Sequence, residues 1–146
     1  MPMYFPISVT PAIQASVSDL LQLSWRLGRR GTGDGIIADF IIPNDEKSAL
    51  RAIFDNTIML RVLDEMYLST EEDEEKEGLI PEHFAYRVEN AKFWRDQSAV
   101  LKVGPELATH YRLVTGWTCL DILAFDQPRF SVIPRPEGYS SGWRDD

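Results

Sequence analysis

Two aspartates sit where a carboxylate is costly. Asp39 interrupts the apolar run "IIADFII", residues 36–42, and Asp121 interrupts "TCLDILAF", residues 118–125. A carboxylate among apolar neighbours must reach water, pair with a cation or shift its pKa. The simplest expectation is that each faces solvent along its own element. The sharper one is that both point inward and meet Arg112 or an arginine of the loop at 28–35. In that case Asp39, His110, Arg112 and Asp121 would line a ligand-binding pocket, with His110 and Arg112 supplied by "THYR", residues 109–112.

That loop, "GRRGTGDG", holds four glycines and two arginines. Arg29 and Arg30 have the guanidinium geometry to grip a carboxylate or phosphate. A phosphate cradle, however, needs a helix directly behind its last glycine, and a P-loop needs Lys followed by Ser or Thr. Here Ile36 and Ile37 follow Gly35. The loop therefore reads as a connector, with an anion site at Arg29 and Arg30 as its functional alternative.

Other chemistry is sparse. His83 and His110 stand without HxxxH or CxxC companions, so no metal constellation is expected. Cys119, the one cysteine, lies in the most apolar stretch and reads as a packing residue. "YSSGW" lacks the strand-and-elbow setting of a nucleophilic serine. No catalytic residue and no cofactor is assigned. The acidic run "EEDEEKE", residues 71–77, lacks the alternation and internal glycine of a calcium loop. It reads as a solvated connector, or as a docking face for a basic partner. Trp25, Trp94 with Arg95, and Trp143 are candidate partner contacts, because exposed Trp and Arg are enriched at interface hot spots. Core packing is the plainer reading of the same set.

The elements that would position these residues read as mostly helical. Residues 3–9 look extended, with Pro6 limiting them to an edge strand or irregular arm. Thr10 and Pro11 suit the cap and first turn of a helix running to Leu27. Residues 36–42 suit a strand. Apolar spacing predicts a long helix over about 45–69, a third from Pro81 to about Val100, and a fourth from Pro105 through residue 125. Strand is the competing reading for 113–125, given its β-branched content. "RFSVI" suggests a short strand that pairs with 36–42 or 3–9. The expected fold is thus predominantly α, about four helices with up to three short strands in a minor sheet.

Length and composition set the remaining bounds. The 146 residues suit one domain, 1–146, with the proline-rich tail 126–146 docked on it. A net charge of −8 argues against generic binding to nucleic acid, which requires a surplus of Lys and Arg. No apolar stretch is long enough for a membrane span. The N-terminal residues lack the pattern of a secretory signal, and a single cysteine fits a reducing compartment, so the cytoplasm is expected. The function expected from these features is that of a non-enzymatic interaction or regulatory protein that binds a macromolecular partner or forms homo-oligomers. The alternative is a small-molecule module or modest enzyme with its pocket between the fourth helix and the strands.

Overall fold

A computed structural model of the chain describes residues 1–26, 35–97 and 108–136. It corrects the α reading: the described residues form two antiparallel sheets and only two short α-helices. The first sheet has the order β1–β6–β7–β8–β5, built from β1 (Met3–Pro6), β5 (Thr57–Asp64), β6 (Ala85–Glu89), β7 (Thr109–Leu113) and β8 (Thr118–Ala124). The second has the order β2–β3–β4–β9, built from β2 (Leu20–Arg26), β3 (Gly35–Ile42), β4 (Asp45–Asp55) and β9 (Arg129–Pro134). The helices are α1 (Glu65–Glu71) and α2 (Lys92–Arg95).

The core lies between the sheets. Ile36, Ala38, Phe40, Leu50, Ala52 and Phe54 of the second sheet meet Tyr111, Leu113, Leu120, Ile122 and Ala124 of the first. These positions alternate along each strand, as the two-residue period of a pleated sheet requires. Their odd-and-even partners face outward: Asp39 and Arg51 on the second sheet, and His110, Arg112 and Asp121 on the first.

Each expected helix fails for a physical reason. Residues 11–27 hold one short 3₁₀ turn (Ala15–Val17) and then β2. Residues 45–64 form β4 and β5, joined by the single residue Asn56 at φ 51°, and only the last five residues of the expected helix, 65–69, are helical, in α1. The stretch is rich in good helix formers such as Glu, Lys, Ala, Leu and Arg, but burial between two sheets overrides local propensity. The described part of the third, 81–97, contains β6 and the one-turn α2, and 109–125 contain β7 and β8. Both faces of β7 and β8 are buried, which fills in the alternation and imitates the run of a central helix. Strand, the competing reading for 113–125, is the observed state. The acidic run at 71–77 is not wholly the solvated connector expected of it, because Glu72 is buried.

Other parts agree with the sequence. Residues 36–42 are a strand, and β1 with Pro6 is an edge strand. β9 forms where "RFSVI" suggests it, but it pairs with β4 rather than with 36–42 or 3–9. The rest of the tail, 137–146, lies outside the described residues, as do Arg29, Arg30 and most of their loop.

The edge strand β1 is tied down by the segment before β6. Tyr4 N donates to Glu77 O, and Glu77 N donates to Pro2 O. Gly78 follows at φ +89°, with its backbone pressed against the Tyr4 carbonyl so closely that a Cβ would collide with it. Gly78→Ala is therefore expected to cost about 1–3 kcal/mol, through backbone strain plus loss of the β1 contacts. A urea titration reads it as a lower midpoint, and an unchanged midpoint would show that the segment yields freely.

Candidate functional site

The densest group of ionisable side chains lies on the outward face of the first sheet. The register of three strands creates it: Arg112 on β7 stands directly opposite Asp121 on β8, which stands directly opposite Arg61 on β5. Both outer positions of this row are cations, so the central carboxylate is held from two sides. Asp121 Oδ1 accepts from Arg112 Nε at 2.7 Å and from His110 Nε2 at 2.6 Å. Oδ2 accepts from Arg61 Nη2 at 2.6 Å and Nε at 3.0 Å.

The acidic run covers this row. Arg61 also donates to both oxygens of Glu71, at 2.7 and 3.0 Å. Arg112 Nη1 donates to Tyr4 Oη at 2.7 Å, and that hydroxyl donates to Glu72. Glu72 Oε1 stands 2.9 Å from Arg112 Nη1, an ion pair by distance, although it is not aligned as a hydrogen bond. Phe93 of α2 closes one side, with the Arg61 guanidinium 4.3 Å from its ring centre and the His110 ring at 5.1 Å. Arg112 and Asp121 expose no surface, and His110 and Glu72 expose 2% each.

Burial and charge set the protonation states together. Burial pushes the Asp121 carboxyl up, but the His110 hydrogen bond and the Arg112 charge outweigh it and hold the group well below the usual carboxylate range. Burial lowers His110 below the ordinary histidine value, with Asp121 opposing in part, so the imidazole is neutral near pH 7. Burial raises the Tyr4 phenol, which stays protonated. Burial also raises the Cys119 thiol to about 11, which leaves it unreactive.

The candidate ligand residues thus divide. His110, Arg112 and Asp121 come together. Asp39 does not join them: it lies on the outward face of the other sheet, across the whole core. There it stands opposite Gln22 and Arg51, and Arg51 binds it with two hydrogen bonds of 2.9 and 3.0 Å. Neither aspartate faces solvent, since both are fully buried, so the simplest expectation for them is corrected. The expected pocket between a fourth helix and the strands is absent as drawn, because that helix is β7 and β8.

The candidate partner contacts are scattered. Trp25 is 38% exposed on β2 of the second sheet. Trp94 packs against the cluster of Phe93, Ala108 and Leu123, and Arg95 pairs with Glu74. Trp143 lies outside the described residues. Sequence reasoning missed Arg61, Glu71, Glu72 and Tyr4. Arg61 carried a usable signal, a charge inside the apolar run "IMLRVL". Glu72 carried none, because nothing local separates it from five other acids.

No family model, curated protein or solved structure matches this chain. Among the described residues no three His, Cys, Asp or Glu side chains are grouped to hold a metal ion. No described helix is long and apolar enough to cross a membrane.

Two outcomes test the network. Asp121→Ala leaves the buried Arg112 guanidinium and the half-buried Arg61 guanidinium without their shared acceptor and is expected to cost about 3–5 kcal/mol, read as a fall in the urea midpoint. The pH profile is expected to show two stages. Neutral His110, with its folded-state pKa lowered, contributes stability that is complete above about pH 6.5 and is lost as pH falls below it. Asp121, also lowered, contributes stability lost only as pH falls below about 4. His110→Gln is expected to flatten the first stage and spare the second. An unaltered slope between about pH 6.5 and 5 would mean that His110 is not held neutral.

Proposed function

We propose that the protein is a non-enzymatic interaction module that docks a protein partner through an apolar and basic segment of that partner. The observation that carries this reading is a cleft of about 400 Å³ at one end of the first sheet. Its walls include Ala15 and Ser16, then Leu79, Ile80, His83 and Tyr86, and Val114 to Gly116. Leu79 and Ile80 stand half exposed at its rim. Val17, Met66 and Trp117, each next in sequence to a wall residue, are also exposed large apolar side chains. Exposed apolar groups gathered at one place mark interaction surfaces rather than ordinary surface.

Charge supports the same partner chemistry. Glu65 and Glu82 line the cleft, on a chain with net charge −8. Such a field attracts a basic segment and speeds its encounter. The network around Asp121 supports a non-enzymatic role, because the Asp121 carboxylate is held by His110, Arg112 and Arg61 and is itself fully buried. The acidic run itself is a poorer docking face than its composition implies. Glu71, Glu72 and Glu74 are engaged with Arg61, Arg112 and Arg95 of the same chain. A cytoplasmic location fits the single cysteine, which needs no oxidising compartment.

One observation favours a second reading, a small-molecule module. His110 lines a hollow of about 220 Å³ together with Trp94, Arg87 and Asn90. Its Nδ1 has no hydrogen-bond partner among the described residues. A ligand that donates an N–H or O–H would satisfy it. Native mass spectrometry of protein isolated gently from its host separates the readings: an added mass of a few hundred daltons favours the hollow, and a second protein favours the cleft.

The direct test is the double variant Leu79→Asp, Ile80→Asp, which changes two exposed positions and is expected to fold. Quantitative capture from host extract should recover a partner with the parent protein, less of it at high salt, and lose it with the variant. Equal recovery with both proteins, while circular dichroism shows both folded, would remove the cleft as the docking surface.

A further inference from the structure

His110 carries a hydrogen-bond acceptor that is buried and unpaired. Its Nε2 stands 2.6 Å from Asp121 Oδ1. Asp121 is ionised, because its carboxyl is held well below the usual range, and an ionised carboxylate only accepts. Nε2 therefore carries the ring proton. Burial keeps the imidazole neutral near pH 7, so Nδ1 is a bare lone pair. It has no partner among the described residues, although His110 exposes only 2% of its surface. Strand register says where that lone pair points. His110 on β7 stands between Leu123 of β8 and Val88 of β6. Nε2 is directed to the β8 side, where Asp121 lies. The two ring nitrogens lie on opposite sides of the imidazole, so Nδ1 is directed to the β6 side. There lies the hollow of about 220 Å³, walled by Arg87 to Asn90 at the end of β6 and by Ala108 to His110 at the start of β7.

We propose, resting on the small-molecule reading of this hollow, that it binds a neutral one-ring molecule with a single hydrogen-bond donor, phenol-like in chemistry, whose donor group is accepted by His110 Nδ1. The size suits one ring: a cavity of about 150 Å³ takes a benzene, so the hollow holds a ring with its substituent and little more. The donor is set by Nδ1, since a buried acceptor without a donor is costly. The apolar body is set by the neighbours. Val88 stands directly opposite His110, Ala108 lies two residues earlier on the same face of β7, and Trp94 packs against Ala108. A water holds its place in a protein by making about three hydrogen bonds, and these three side chains offer it little. Neutrality is set by the charged walls. Arg87 and Glu89 pair with each other at 2.6 Å, so neither calls for a charged ligand. The half-buried Trp94 gives the ring an aromatic neighbour at the spacing of offset or edge contacts. The hollow is separate from the cleft at Leu79 and Ile80, so either site can fail without the other.

Titration of the isotope-labelled parent protein with phenol, and separately with toluene, tests this by NMR. Toluene has the same ring and no donor. Phenol is expected to saturate with a Kd on the order of 1 mM, moving the His110 Nδ1 resonance and the Val88 methyl resonances together. Toluene is expected to bind about tenfold more weakly, the worth of one hydrogen bond, and to leave Nδ1 unmoved. His83 lines the cleft and marks binding there. Phenol that moves His83 and leaves His110 in place occupies the cleft, which overturns the proposal. Toluene that moves Val88 at the same concentrations as phenol overturns the donor class and leaves the hollow a ligand site. If neither probe moves His110 or Val88, the proposal falls together with the small-molecule reading of the hollow.

Discussion

The carboxylate of Asp121 is the constraint on which much of this structure depends. It lies fully buried between Arg112 and Arg61, with His110 on one of its oxygens. A charge in that position is tolerable only if every lone pair is met and every donor that meets it is itself held. That requirement reaches outward. Arg112 needs Tyr4 and Glu72, which come from the edge strand β1 and the acidic run. Arg61 needs Glu71 and the ring of Phe93, which come from α1 and α2. The residues around Glu71 and Glu72, and Phe93 of α2, therefore lie over the outward face of the first sheet, where they meet its charges.

The same row fixes strand register. A slip of one residue in β8 would turn Asp121 into the core beside Tyr111 and Leu113 and push Leu120 or Ile122 outward. Buried ion networks often add little net stability compared with apolar packing of the same volume. What this one supplies is discrimination between registers, since the wrong pairing leaves guanidiniums and a carboxylate without partners. The second sheet repeats the device with Gln22, Asp39 and Arg51. Each sheet of the sandwich thus carries one fully buried aspartate on its outward face, aligned with cross-strand partners.

These arrangements separate chemistry from accessibility. The Asp121 carboxylate is locked into the architecture, where both its oxygens accept hydrogen bonds from the chain's own side chains. Among the described residues, the open features include apolar surface at the cleft and one imidazole nitrogen beside a small hollow.

Part of this was legible in the sequence. An aspartate inside an apolar run must find a cation if it is buried, and that argument alone singles out Asp39 and Asp121. Residues 36–42 are β-branched, short and bounded by Gly35 and Pro43, so their strand follows from local chemistry. Pro6 confines β1 to an edge because it cannot donate to a second neighbour. The helices expected over 45–69 and 105–125 show the limit. Apolar residues three and four apart arise from one face of a helix, and equally from a strand buried on both faces. The sequence by itself determined which groups could not stand alone. Only the tertiary structure decided which partners they have, because Tyr4, Arg61, Glu72 and Asp121 are brought together by strand order and register, and no local pattern encodes contacts between strands so far apart in the chain.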